Sequence, residues 1–248
     1  MRSTETARCG ERGAIVVRSS CVKMAAPRVR CSRPTREPPA KVITAVAMGT
    51  VIDGHAIAER LKIQLLSELQ NFGSKRPLLA IVSFKTPASQ LYLGAQLKQA
   101  KLLGIAVNYV GFEFPWEVKP QQVEQVVIGL NQGQANGIFV HQPMPPQIDP
   151  QRISALIDPQ KDIEGIHPQN MARRFFAKAR IGSCTALAVM ELIESTGVAL
   201  EGKEAVVVGH SEIVGRPVGM LLLDKLATTT VCHVATKHLP DHVQRADV

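Results

Sequence analysis

From about residue 48 onward the apolar and polar positions alternate between helical and strand-like patterns. Ile57, Leu61, Leu65 and Leu69 recur every four residues and Gly73 follows as a stop, which predicts a helix over 55–72. LLAIVS (78–83) is a short continuous apolar run, the mark of a strand buried on both faces. A helical pattern then runs from 89 to Gly104, IAVNYVGF (105–112) reads as a strand, 120–132 as a helix and GIFVH (137–141) as a third strand. Pro143, Pro145 and Pro146 break the chain into a loop before a short helix at 150–157. The order β-α-β-α-β, with crossovers this long, predicts an α/β fold built on a parallel sheet. Ligands of such sheets bind at the carboxyl ends of the strands, here 83–89, 112–116 and 141–146.

A second unit starts near Cys184. Residues 185–197 read as a helix closed by Gly197, 204–209 as a buried strand, and 220–227 as a helix. Residues 228–234 read as a strand, 239–246 as a helix, and RADV as the opening of a third strand. The expected division is an extension at 1–47, a first domain at 48–184 and a second at 185–248.

Charge changes the picture only at the N-terminus. The formal net charge is +8, but +7 of it lies in residues 1–47 and +1 in the remaining 201. The high isoelectric point therefore says nothing about a nucleic-acid face, and the scarcity of Trp and Tyr argues against base stacking. The first 47 residues are rich in Arg, Ser, Thr and Pro, hold Cys9, Cys21 and Cys31, and show no helical or strand period. Two readings fit: an organellar transit peptide, or a start assigned too far upstream with Met48 as initiator. Cys184 and Cys232 stand alone, so no zinc or redox motif is expected, and a reducing, cytoplasmic setting is the simplest inference. No apolar run approaches the roughly 18 residues of a membrane span.

The strongest chemical signal is VVVGHSEIVGRPVG. A buried strand ends in Gly209, and Gly215 and Gly219 follow at intervals of six and four. Glycines there let a dinucleotide's pyrophosphate approach the backbone and the next helix's N-terminus. The spacing is not G-x-G-x-x-G, so a strand–turn–helix with packing glycines fits the same residues.

Taken with other blocks in order, the chain from Met48 to Val248 resembles the bifunctional methylenetetrahydrofolate dehydrogenase/methenyltetrahydrofolate cyclohydrolase (FolD-like) family. These blocks are VIDGHAIA, PASQLYLGAQLKQAKLLGI, GIFVHQPMP, DPQKDIEGIHPQN, CTALAVMELIESTGV and VVVGHSEIVGRPVGMLLL. The resemblance implies an N-terminal α/β catalytic domain and a Rossmann-like NAD(P)-binding domain, with folate in the cleft between them. It implies an oxidoreductase and hydrolase of tetrahydrofolate interconversion, hence of one-carbon metabolism and purine biosynthesis. A hydride passes from 5,10-methylenetetrahydrofolate to NAD(P)+, and water then opens the methenyl ring to 10-formyltetrahydrofolate. It also implies a homodimer, with no nucleic-acid, membrane or metal partner.

Carried over residue by residue, Tyr92 matches the tyrosine that stacks on folate, and Gln96 stands where the family has its catalytic lysine. Positions i and i+4 share a helix face, so Gln96 does occupy that place, whereas Lys98 is turned well away. An amide has no titratable proton near neutral pH, which predicts impaired cyclohydrolase chemistry. His141 replaces the family's glutamine, either as a compensating acid/base or as a polar loop residue, with Gln142 and Pro143 beside it. Glu164 replaces the aspartate that holds the pterin. The cofactor set is Gly209, His210, Ser211, Ile213, Val214, Gly215 and Pro217. Val234 and Ala235 stand where NADP users place Ser-Arg, which weakens NADP preference and leaves NADP or NAD as cofactor. The family's Pro-Gly-Gly-Val-Gly-Pro loop and C-terminal helix do not appear before Val248, so the chain is expected to be a fragment of a longer product or a decayed relative. The rival expectation is a non-catalytic relative that binds folate or nucleotide without turnover.

Overall fold

The computed structural model describes residues 50–73, 76–176 and 181–248. Residues 1–47 and Met48, with the two readings of the start, lie outside the described residues.

The first domain opens with α1 (Gly54–Gln70), capped by Asp53, whose carboxylate accepts from the backbone N–H groups of His55 and Ala56. Its four-residue stripe is only partly covered, and Leu65 stays 46% exposed. Next come β1 (Leu78–Phe84), α2 (Pro87–Leu103), β2 (Ala106–Phe112), a 3-10 turn (Pro115–Glu117), α3 (Pro120–Gln132) and β3 (Gly137–Val140). The three strands form a parallel sheet in the order β2-β1-β3. β1 is central, and Ala80, Ile81 and Val82 are fully buried, as its unbroken apolar run requires. One face packs Ala80, Val82, Val123, Val127 and Ile138 into the main core, while Ile81 and Phe139 meet Leu93 of α2 on the other.

Short helices α4 (Pro150–Leu156) and α5 (Pro168–Phe175) lead out of this domain. The sequence pattern does not predict α5, because PQNMARRF has no apolar stripe. Its start is set instead by a cap: His167 Nδ1 accepts from the Gln169 backbone N–H at 3.0 Å.

The second domain holds α6 (Cys184–Glu194), β4 (Glu204–Val208), α7 (Gly215–Asp224), β5 (Thr228–Cys232) and α8 (Leu239–Gln244). β4 and β5 pair in parallel, over a core that includes Ala186, Met190, Ala205, Val218 and Leu222. α7 begins at Gly215, five residues before the expected 220. Glycine and proline read locally as a turn, but proline in a helix's first turn removes no bond the helix needs. Asp247 and Val248 lie along β4, where their backbone N–H groups donate to Glu204 O and Val206 N–H donates to Val248 O at 2.8 Å.

Candidate active site

The site is built where β1 and β3 end. Their register pairs Val82 with Val140, so the next residues, Ser83 and His141, emerge side by side. Both are buried, His141 at 1% exposure and Ser83 at 0%. Ser83 Oγ lies 2.9 Å from His141 Nδ1. The other ring nitrogen, Nε2, lies 2.7 Å from Gln96 Oε1 on α2. One turn earlier on α2, the Tyr92 ring sits 5.4 Å from the imidazole, and Phe139 meets it edge-on at the same separation.

Helix α2 is aimed at this point by its start. Thr86 Oγ1 accepts from the Ser89 backbone N–H, and Ser89 Oγ accepts from the Thr86 backbone N–H in return, closing a capping box. Tyr92 and Gln96, four residues apart, therefore face the strand ends together.

A second device positions Glu164. The Asp162 carboxylate is fully buried and accepts from the backbone N–H groups of Glu164, Ile166 and His167 and from Asn170 Nδ2. The turn between α4 and α5 wraps around this one carboxylate and delivers Glu164 beside the Val140 amide. Burial, reinforced by the negative charge of Asp162 and only partly opposed by the bond from Val140, pushes the Glu164 carboxyl up to about 8. Its Oε2 is buried without a partner among the described residues. Burial and the Glu164 charge push the Tyr92 hydroxyl up in turn, and burial pushes the His141 imidazole down.

Tyr92, Gln96, His141 and Glu164 thus gather at one edge. His141 stands just past the end of β3, buried and with both ring nitrogens engaged. Gln142 is exposed, and among the described residues no hydrogen bond joins its side chain to this line. Pro143 lines a hollow of about 420 Å3 beside Phe84, Trp116 and Met144 at the same strand ends. Another hollow, about 300 Å3 around Pro120 and Arg152, lies away from these groups.

Sequence reasoning missed Ser83 and Asp162. A serine closing an apolar strand was visible, but which partner it meets depends on strand register, which a sequence does not display.

In the second domain Gly209 adopts φ +126° with open space where a side chain would stand, so its backbone is free to meet a ligand. A side chain on Gly215 would lie 2.1 Å from Gly209 O, so only glycine lets α7 start against the end of β4. Ser211 Oγ accepts from the Val214 and Gly215 backbone N–H groups, fixing the turn between them. His210 and His233 stand 5.4 Å apart at the ends of β4 and β5. Pro217 sits in the first turn of α7, and Ile213 O accepts from the Ser183 hydroxyl, which ties this loop to the first residues of α6. An exposed backbone, a strand–helix junction closed by glycine and a parallel pair of strands fit a dinucleotide. Among the described residues no three His, Cys, Asp or Glu side chains converge as metal ligands.

Comparison with known proteins agrees with this layout. Residues 52–164 match the tetrahydrofolate dehydrogenase/cyclohydrolase catalytic domain, and residues 183–248 match the NAD(P)-binding domain of the same family. Among curated relatives, the bifunctional protein FolD 2 of Geobacter sulfurreducens is 38% identical over 205 residues, covering 81% of this chain and 71% of the relative. The bifunctional FolD enzyme of Campylobacter jejuni superposes with a TM-score of 0.75 at 32% identity, covering 79% of this chain and 71% of that one. The Trypanosoma brucei FolD, solved with NADP cofactor and inhibitor, gives 0.74 at 34% identity, covering 79% and 69%. With two family domains in the expected order on the expected fold, the chain belongs to the tetrahydrofolate dehydrogenase/cyclohydrolase family.

Proposed function

We propose that this chain oxidises 5,10-methylenetetrahydrofolate to 5,10-methenyltetrahydrofolate with NAD(P)+, and that its hydrolysis of the methenyl product is weak or absent. Residues 48–184 form the folate domain and 185–248 the nucleotide domain. The observation that carries the reading is the Gln96 amide, hydrogen-bonded to His141 at 2.7 Å in the position where the resemblance puts a lysine.

Hydride transfer needs the donor carbon and the acceptor ring held together, and it needs no protein proton. Tyr92 offers a ring face for the pterin, and Glu164 offers a carboxyl to its N–H groups. Gly209, His210, Ser211, Ile213, Val214, Gly215 and Pro217 would hold the dinucleotide, whose nicotinamide would supply the hydride acceptor. Ring opening by water needs a group that takes and returns a proton. Gln96 has no such proton, and both nitrogens of His141 are engaged by protein groups.

The loop after β5 carries Val234, fully exposed, and Ala235, with no arginine, which supports use of NAD as readily as NADP. A homodimer, a cytoplasmic setting and a supply role in purine biosynthesis complete the reading by family resemblance. No described helix is long and apolar enough to cross a membrane.

The test is a paired assay of the full chain: methylenetetrahydrofolate oxidation with each nucleotide, and methenyltetrahydrofolate hydrolysis. Oxidation with hydrolysis at least about a hundredfold slower supports the reading, since general acid–base help contributes about 10²–10⁴-fold. Gln96→Lys is expected to raise hydrolysis by at least about tenfold. Equal rates of the two steps in the unaltered chain would overturn it, and folate binding without any turnover would favour a non-catalytic relative.

A further inference from the structure

Three buried or half-buried side chains run in a line from β1 through β3 to α2, and only one arrangement of their protons leaves no buried hydrogen without an acceptor. Ser83 Oγ lies 2.9 Å from His141 Nδ1, and His141 Nε2 lies 2.7 Å from Gln96 Oε1. A neutral imidazole has one N–H and one lone pair, so the two bonds are coupled: whichever nitrogen donates, the other accepts.

In the first arrangement Nε2–H donates to Gln96 Oε1, and the Ser83 hydroxyl donates to Nδ1. The imidazole N–H and the buried serine hydroxyl then both have an acceptor. The second reverses both bonds: Nδ1–H donates to Ser83 Oγ, and Gln96 turns its amide so that Nε2 donates to the ring. Ser83 then keeps a hydroxyl hydrogen at 0% exposure with no acceptor among the described residues. An orphaned buried donor is costly, so the first arrangement prevails.

The choice decides what the cleft meets. With Oε1 held by the ring, Gln96 points its Nε2–H2 group outward. That nitrogen is not among the buried unpartnered atoms, and no described residue accepts from it. We propose that Ser83 and His141 act as positioning residues, a one-way hydrogen-bond relay that locks Gln96 as a neutral donor aimed at a lone pair of the folate. This rests on the folate reading above and deepens it: the site presents a fixed donor without a transferable proton. Its ligand partner is a carbonyl oxygen or ring nitrogen, never an N–H group.

The imidazole reports the relay directly. Nitrogen-15 NMR of the histidine-labelled full chain, with the His141 signals identified by their loss in His141→Gln, distinguishes the two ring nitrogens. The expected result is a protonated Nε2 and an unprotonated Nδ1. Ser83→Ala is expected to mix the two tautomers and to raise KM for methylenetetrahydrofolate about tenfold with kcat within about twofold, the loss of one oriented hydrogen bond. A protonated Nδ1 in the unaltered chain overturns the relay, as does Ser83→Ala leaving both the tautomer and KM unchanged. The measurement on the unaltered chain stands even if Ser83→Ala folds poorly. A chain that holds the Nε2–H tautomer yet neither binds nor oxidises folate sinks the functional reading alone.

Discussion

At the scale of single residues, Glu164 carries the clearest electrostatic consequence. Its carboxyl titrates near 8 in the folded chain and near its ordinary value of 4.5 when unfolded. Between those values the folded state holds a proton that the unfolded state has released. Stability is therefore full below about 4.5 and falls as pH rises toward 8. Glu164→Gln removes the titration. Its melting temperature relative to the unaltered chain is expected to rise steadily from pH 5 to pH 8 and then level off, and calorimetry across that range checks it. A constant difference would mean that Glu164 is ionised throughout. The same residue was legible in the sequence as a departure from the family's aspartate. Its proton was not, because that depends on burial of the carboxyl in the folded chain, reinforced by the charge of Asp162 sealed under the same turn.

At the scale of elements, the junction of β4 and α7 leaves no room for a side chain at Gly215. A methyl group on Gly215 would lie 2.1 Å from Gly209 O and 3.0 Å from His210 Cα, both backbone atoms that no rotamer change relieves. Gly215→Ala is expected to destabilise the chain by about 3 kcal/mol, the upper range for forced overpacking. It is also expected to weaken nucleotide binding more than folate binding, since only the Gly209 loop must move. Urea unfolding and separate titrations with NAD+ and a folate analogue check both. By contrast Gly73, with open space around its Cβ position, takes a positive φ only to end α1. Glycine spacing marked this junction in the sequence, but the start of α7 was placed five residues late, because the contact that needs Gly215 is with a strand end and not with its own helix.

At the scale of the whole molecule, ion pairs join the two domains and a hydrogen bond ties down the nucleotide loop. Arg60 and Glu191 approach to 3.9 Å and Arg174 and Asp224 to 3.7 Å, while the Ser183 hydroxyl donates to Ile213 O under cover of the loop. An exposed ion pair such as Arg60–Glu191 contributes about 0–1 kcal/mol and fades with salt. A half-buried neutral bond contributes about 1 kcal/mol, and its loss leaves a carbonyl unpaired. Arg60→Ala is expected to be nearly silent, and Ser183→Ala to cost about 1–2 kcal/mol and to loosen the nucleotide loop. Hydrogen exchange at residues 209–216, compared between the two variants, checks the difference.

The sequence by itself determined the alternation of strands and helices, the parallel sheet, the family and the identity of every residue that departs from it. These follow from local periodicity and from ordered motifs, which a linear chain carries in full. Only the tertiary structure decided what the departures mean. Gln96 is separated from His141 by 45 residues and Ser83 from His141 by 58, and the parallel register of β1 and β3 together with the seating of α2 brings them into one hydrogen-bonded line. Whether a histidine is a free base or a committed link depends on what occupies its two nitrogens. That is a property of three chain segments meeting, and no single segment encodes it.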